Sequence, residues 1–247
     1  MIPHFKGNTP FIDLEKKIEV DKAMIDDFGF SLMQMMELAG LNLAILARNN
    51  FLRNKPAGKK VIVVAGPGGN GGGVMVAARH LHNWGADVSL VLSSKAGKFN
   101  KDTIYQFSIL KKLNIEVVEK IEEGDLIIDG MIGYGLSGAP KGRIAELINQ
   151  INGSGIPVLA LDAPSGLDLS EGKPLDPCVK AKSTLTLAIP KSGHFRMPAS
   201  KFIGELFLAD ISVPLELYKA MGIEIKELAK AFQEGSVVKI NKLVIFS

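Results

Sequence analysis

The sequence predicts a three-layer α/β domain, a mostly parallel sheet with helices on both faces. Three observations predict it. Short β-branched apolar runs such as Val61-Ile62-Val63-Val64 lack the polar alternation of a half-exposed strand, as expected for strands buried on both faces. Stretches of helical spacing separate these runs, as βαβ crossovers require. Several runs end on a glycine-rich turn or a carboxylate, and the carboxyl ends of strands are where open α/β sheets bind ligands.

The elements follow in order. Residues 12–28 place Ile12, Leu14, Ile18, Val20, Ala23, Met24 and Phe28 at helical spacing, and Gly29 reads as a stop. Residues 32–51 form a second helix with Met35, Met36, Ala39, Leu43, Leu46 and Ala47 apolar. Residues 59–66 are a strand. A glycine-rich loop, 66–73, and a helix, 74–84, come next. Residues 88–92 are a strand, 101–113 a helix and 115–118 a strand. Residues 126–129 form a strand ending on Asp129, 143–151 a helix, and 157–162 a strand ending on Asp162. The chain then turns to consecutive strands at 183–189 and 204–209. From Glu224 it reads as a helix, a turn at Glu234-Gly235-Ser236 and an apolar segment, 237–246. That last segment packs on the domain, pairs with another chain or frays. No repeat, low-complexity tract or linker interrupts the chain. Residues 1–247 read as one domain, with a core of about 11–213 and an open assignment for 214–247.

Composition narrows the function classes. The chain has 247 residues, 47% hydrophobic and 22% charged, which excludes disorder and a fibrous fold. Its net charge of +3 is dispersed, a weak footprint for nucleic acid, and the local cluster Arg53, Lys55, Lys59, Lys60 reads as a solvated loop. A lone Cys178 excludes an intrachain disulfide, and there is no Cys/His cluster of a zinc site. No apolar run approaches the ~18 residues of a membrane span, and no apolar signal core follows the N-terminus. A cytoplasmic protein is expected.

Three strand ends carry the chemistry. The segment Gly66-Pro67-Gly68-Gly69-Asn70-Gly71-Gly72-Gly73 has six glycines, which free the backbone for positive φ or close approach. The helix behind it aims its N-terminal amides at the loop, which favours a phosphate. It is no P-loop, because no Gly-Lys-Ser/Thr follows. The second strand end is Asp129 with a glycine-rich loop to Gly138. The third is Asp162-Ala163-Pro164-Ser165-Gly166-Leu167-Asp168. A carboxylate after an apolar strand is costly to bury and wants a cation, amide donors or a ligand hydroxyl. A helix cap or Asx turn is the plainer alternative for either one. Asn70, Asp129 and Ser165 are hard oxygen donors, suited to an alkali or alkaline-earth cation. Lys191 follows a strand and faces either the same cleft or solvent. Ser165 lacks the G-x-S-x-G elbow of a hydrolase.

At these residues the sequence resembles the NAD(P)H-hydrate epimerases, the YjeF N-terminal domain family. Four segments carry the resemblance in order: Met35-Met36-Glu37-Leu38-Ala39-Gly40, residues 65–81, residues 129–136 and residues 162–168. It covers about residues 11–213. It implies a Rossmann-like α/β fold, often dimeric, that interconverts the R and S epimers of hydrated NADH and NADPH (NADHX and NADPHX). A separate dehydratase then restores the S form. The roughly 34 residues after Val213 are too few for the dehydratase domain that many members carry. The resemblance also implies a potassium ion held by Asn70, Asp129 and Ser165. Substrate contacts fall on Gly69, Asn70, Gly71, Gly72 and Gly73, on Gly133, Tyr134, Gly135, Leu136, Ser137, Gly138 and Ala139, and on Asp162. Asp162 is the expected proton shuttle, with Lys191 second. This chain departs from the family pattern at Gly69, Gly73 and Val74, where an Asn, an Asp and a Gly are usual, and at Lys182, where an Asp is usual. Those losses motivate a rival reading, a scaffold or binding module on the same fold, associated with nucleotide or RNA.

Overall fold

The computed structural model describes residues 2–241. The elements are β1 (His4–Phe5), α1 (Leu14–Asp26), α2 (Leu32–Leu46), β2 (Lys60–Ala65), α3 (Gly69–Asn83), β3 (Asp87–Leu92), α4 (Lys101–Lys112), β4 (Glu116–Val118), β5 (Leu126–Gly130), α5 (Gly142–Gly153) and β6 (Val158–Leu161). They continue as β7 (Leu167–Asp168), β8 (Lys173–Pro174), β9 (Ser183–Leu187), α6 (Met197–Ile203), β10 (Glu205–Ala209), α7 (Leu215–Ala220), α8 (Lys226–Phe232) and β11 (Val237–Ile240).

Nine strands form one sheet in the order β1-β11-β10-β9-β6-β5-β2-β3-β4, and only the β10–β11 pair is antiparallel. The expected mostly parallel, Rossmann-like sheet is what the chain adopts. Its strands are apolar on successive positions because both faces are covered. Val61, Val63 and Ala65 pack in one core cluster with Leu43 and Leu46 of α2 and Met75 of α3. Ile62 and Val64 face the other way, against Leu147 and Ile148 of α5. A third cluster joins Met24 of α1 to Leu206, Leu208 and Val238. Side-chain caps set several helix starts: Asp13 accepts from Lys16 N–H at 2.7 Å, and Ser31 with Gln34 forms a capping box.

Chain order reverses at β2. From there the chain steps outward to β3 and β4, then returns to place β5 on the other side of β2. The crevice at the carboxyl ends of β2 and β5 is thus the topological switch point.

Two expectations need correction. The glycine-rich segment is not a loop up to residue 73: α3 begins at Gly69, and none of the glycines between 66 and 73 has positive φ. They are needed for close approach instead. A Cβ on Gly66 would lie 1.9 Å from the Met131 carbonyl oxygen, and one on Gly71 1.8 Å from that of Gly66. Second, the strands at 183–189 and 204–209 are not simply consecutive. The short helix α6 crosses between them and leaves β9 and β10 parallel. The first of these strands also ends early, where Ala188 takes φ +64°. The stretch after Glu224, whose placement the sequence leaves open, packs on the sheet. β11 pairs with β10, and β1 pairs with β11, so the sheet extends past residues 11–213 at both ends. The rest of the apolar segment predicted at 237–246 lies outside the described residues beyond Asn241.

Candidate active site

A cleft of about 630 Å³ opens at the switch point, a usual size for a small-molecule site. Gly68, Gly69, Asn70 and Gly73 of the α3 start form part of its wall, and residues 131–141 after β5 form another. Lys17 and Asp21 come from α1, and Leu32, Met35, Met36 and Ala39 from α2. Leu161, Leu187 and Ala188, at the ends of β6 and β9, complete it together with Ile211.

The start of α3 has no side-chain cap, so its first amides remain available at the cleft. Gly68 and Gly69 are exposed there, and a Cβ on either would meet nothing within 4 Å. Such an N-terminus favours an anion. Gly71 and Gly72 do not reach the wall. Gly71 lies against Gly66, and Gly72 against the Met36 sulfur, 2.7 Å from where its Cβ would be. At Gly73 a Cβ would lie 2.8 Å from Leu161 Cδ2. A larger residue at position 73 would require the end of the Leu161 side chain to shift. All of Gly133, Tyr134, Gly135, Leu136, Ser137, Gly138 and Ala139 line the cleft.

Asp129 is the penultimate residue of β5 and is fully buried. It accepts from the Ser165 hydroxyl at 2.6 Å, Ser165 N–H at 2.8 Å and Met131 N–H at 3.2 Å. Burial pushes its carboxyl up to about 6, against the pull of those hydrogen bonds. No cationic side chain is among its partners. Ser165 in turn accepts from Ile132 N–H at 3.0 Å. Asn70 donates from Nδ2 to the Leu161 carbonyl at 2.8 Å, which leaves the lone pairs of Oδ1 for a cation or a hydrogen-bond donor. No direct bond joins Asn70 to Asp129 or Ser165. The three sit at the adjacent ends of β2, β5 and β6, and their oxygens suit a hard cation with low charge. Among the described residues there is no His/Cys/Asp/Glu cluster of the kind that holds a transition metal.

Asp162 follows β6 and is 1% exposed. Its carboxylate Oδ1 accepts from Lys191 Nζ at 2.5 Å and from the Thr186 hydroxyl at 3.1 Å. These bonds all fall on Oδ1, and Asp162 lies behind the cleft wall, next to the lining Leu161, rather than on it. Lys191 is wholly buried and also donates to the Thr186 hydroxyl and the Leu187 carbonyl. Burial by itself would raise the Asp162 carboxyl, but the Lys191 and Lys17 ammonium groups outweigh it and hold it down at about 2. Of the two alternatives for Lys191, solvent exposure is thus excluded. His194 accepts from Lys191 N–H at 3.1 Å through Nδ1 and donates from Nε2 to the Asp162 carbonyl at 2.8 Å.

Sequence reasoning missed Thr186, His194, Lys17 and Asp21. Thr186 and His194 flank Lys191 closely enough in sequence to have been grouped with it. Lys17 and Asp21 carry only an i,i+4 spacing, which any surface helix can show.

A family model described as YjeF-related protein N-terminus matches residues 32–193. The NAD(P)H-hydrate epimerase of Dehalogenimonas lykanthroporepellens is 38% identical over 227 residues, 90% of this chain and 89% of its own. That of Aspergillus fumigatus is 34% identical over 80% of this chain and 85% of its own. The bifunctional NAD(P)H-hydrate repair enzyme Nnr of Moorella thermoacetica is 30% identical, and the match spans 81% of this chain and 40% of that protein. Among solved structures, the crystal structure of yeast ynu0 superposes with a TM-score of 0.69 at 24% identity, covering 87% of this chain and 94% of that one. The likeness to ynu0 bears on fold alone.

Proposed function

From the premise that the chain belongs to the YjeF-related N-terminal family, we propose that it is an NAD(P)H-hydrate epimerase, which interconverts the R and S forms of hydrated NADH and NADPH. The observation that carries this reading to the site is Asp162. Its carboxylate is held ionised behind the cleft wall, one residue after the lining Leu161, and no hydrogen bond falls on its Oδ2.

Epimerisation at the hydrated ring carbon runs by loss and return of hydroxide through an iminium-like species, and a proton must travel with the oxygen each way. Asp162 carries that proton. Lys191 fixes the carboxylate and stabilises its charge, and Thr186 orients it. The open amides at the start of α3 take a phosphate of the nucleotide. Lys141, at the rim, adds positive charge for the same purpose.

Asn70 Oδ1, Asp129 and Ser165 Oγ would hold a potassium ion. The fit rests on their donor chemistry and on a buried Asp129 that has no cationic partner. When bound, the ion supplies that missing countercharge and ties the three strand ends together. The reading also makes the protein a cytoplasmic homodimer whose S product passes to an NAD(P)HX dehydratase. The bifunctional repair enzyme among its relatives supports the pairing of activities, and the exposed Ile18, Ile25 and Phe28 supply an apolar face for a second copy. Among the described residues no helix is long and apolar enough to cross a membrane.

Substitution of Asp162 tests the assignment. Asp162→Asn should slow conversion of R-NADPHX to the S epimer by about 100-fold or more, the usual worth of a general acid or base. A variant that turns over the epimers at the wild-type rate would remove Asp162 from the mechanism.

A further inference from the structure

A cleft tells related ring compounds apart by the polar groups it can pair. On the epimerase reading the ring to be seated carries a hydroxyl and a carboxamide. A carboxamide offers N–H donors and a carbonyl acceptor side by side. Its complement is an acceptor beside a donor, set in an otherwise apolar wall.

The cleft wall holds one such pair. Much of the wall is apolar, with Leu32, Met35, Met36, Leu136, Ile144 and Ile211 among its residues. Lys17 and Asp21, one turn apart on α1, form an ion pair, and both line the cleft. Asp21 is the one carboxylate of that wall among the described residues. Its side chain is 25% exposed, so a ligand can reach it. The Lys17 ammonium and the Tyr134 hydroxyl, the latter at 3.3 Å, both bond to its Oδ2, and no hydrogen bond falls on its Oδ1. Lys17 has three N–H donors, of which Asp21 takes one. Tyr134 also lines the cleft, and its ring centroid lies 3.8 Å from Lys17 Nζ, a cation–π contact that braces the ammonium. The pair lies toward the reacting end of the cleft, since the Lys17 charge helps to hold down the Asp162 carboxyl behind the wall.

We propose that Lys17 and Asp21, braced by Tyr134, read the carboxamide of the nicotinamide ring and so select the amide over the acid. The proposal rests on the epimerase reading. Asp21 Oδ1 accepts from the carboxamide nitrogen, and Lys17 Nζ donates to the carboxamide oxygen. Together the bonds fix the rotation of the ring in the cleft. In the corresponding nicotinic-acid dinucleotide a carboxylate replaces the carboxamide. Asp21 then faces a like charge and has no N–H to accept from, so the acid is rejected although Lys17 attracts it. The aspartate supplies the rejection and the lysine the attraction, and each therefore has its own signature.

Two hydrates measure the selection: NADPHX, and the hydrate of the reduced nicotinic-acid dinucleotide phosphate. Epimerisation of each is followed by separating the epimers, and the readout is the ratio of the two kcat/KM values. Wild-type protein should favour the amide by about 100-fold or more. Asp21→Asn removes the repelling charge and should cut that ratio by about tenfold or more, mainly through a lower KM for the acid. Lys17→Met should move the ratio the other way, because the attraction for the acid is lost while Asp21 still repels it. Any loss of turnover through Asp162 falls on both substrates and cancels in the ratio. If thermal denaturation shows that one variant does not fold, the other carries the test by the direction of its shift. A wild-type ratio near one would overturn the proposal. So would a folded variant whose ratio stays put or moves against the stated direction. Wild-type protein that epimerises neither hydrate would instead overturn the epimerase reading, a distinct outcome.

Discussion

Asp162 takes φ +64°, a conformation uncommon outside glycine, and its neighbours hold it there. Its N–H donates to the Leu185 carbonyl at 2.7 Å, its carbonyl accepts from His194, and its carboxylate is bound by Lys191. His194 is neutral in this arrangement. Burial and the nearby Lys191 ammonium lower its pKa from 6.5 to about 4. Unfolded chain binds a proton at this histidine as pH falls through 6.5, and folded chain does not until about 4. His194 therefore contributes a loss of stability across that window as pH is lowered, opposed by protonation of Asp129, whose folded pKa is about 6. Denaturation midpoints measured from pH 7 to 5 should shift toward higher stability at the acid end in His194→Gln relative to wild type. An unchanged slope in the variant would contradict this role. At this scale the two strand-end carboxylates were legible, because an acid closing an apolar run demands a reason. Lys191 was not, since nothing in a sequence separates a buried lysine from a solvated one. Lys17 and Asp21 were hidden for a similar reason: their spacing fits any helix, and only the fold lays that helix over the cleft.

α3 shows how an element can be recognised and its start still misplaced. Six glycines in eight residues read as a loop by propensity, yet the helix already runs at Gly69. Close packing explains the composition. α3 must approach the Gly66 carbonyl and the Met36 side chain, so side chains are excluded on its inner face but not on its outer one. Gly71→Ala should cost several kcal/mol, because its Cβ would meet backbone that cannot move aside. Gly69→Ala should leave the melting temperature nearly unchanged or raise it slightly, since Ala favours helix and meets nothing. Equal melting temperatures for the two variants would contradict this account of the packing. Buried strands were the most legible elements, as both faces demand apolar residues. The helix α6 and the β7–β8 hairpin were not, being too short to establish a period.

The whole molecule brings distant parts of the sequence to one crevice. Reversal of strand order beside β2 sets the ends of β2, β5 and β6 side by side, so Asn70, Asp129 and Asp162 meet although they lie far apart in the chain. Alternating strands and helices made that parallel sheet legible. They left open where the last residues would go, because a short apolar segment does not name its partner. In the structure β11 pairs antiparallel with β10 and receives β1 parallel beside it, so these two strands run against the other seven of the sheet. A coupled assay asks whether this crevice epimerises hydrated nicotinamide cofactors. R-NADPHX is supplied with excess S-specific dehydratase in potassium buffer, with and without this protein. The account expects the R epimer to disappear faster than its spontaneous rate when the protein is present. Disappearance at the spontaneous rate, with the protein folded, would contradict it and favour a binding module built on the same fold.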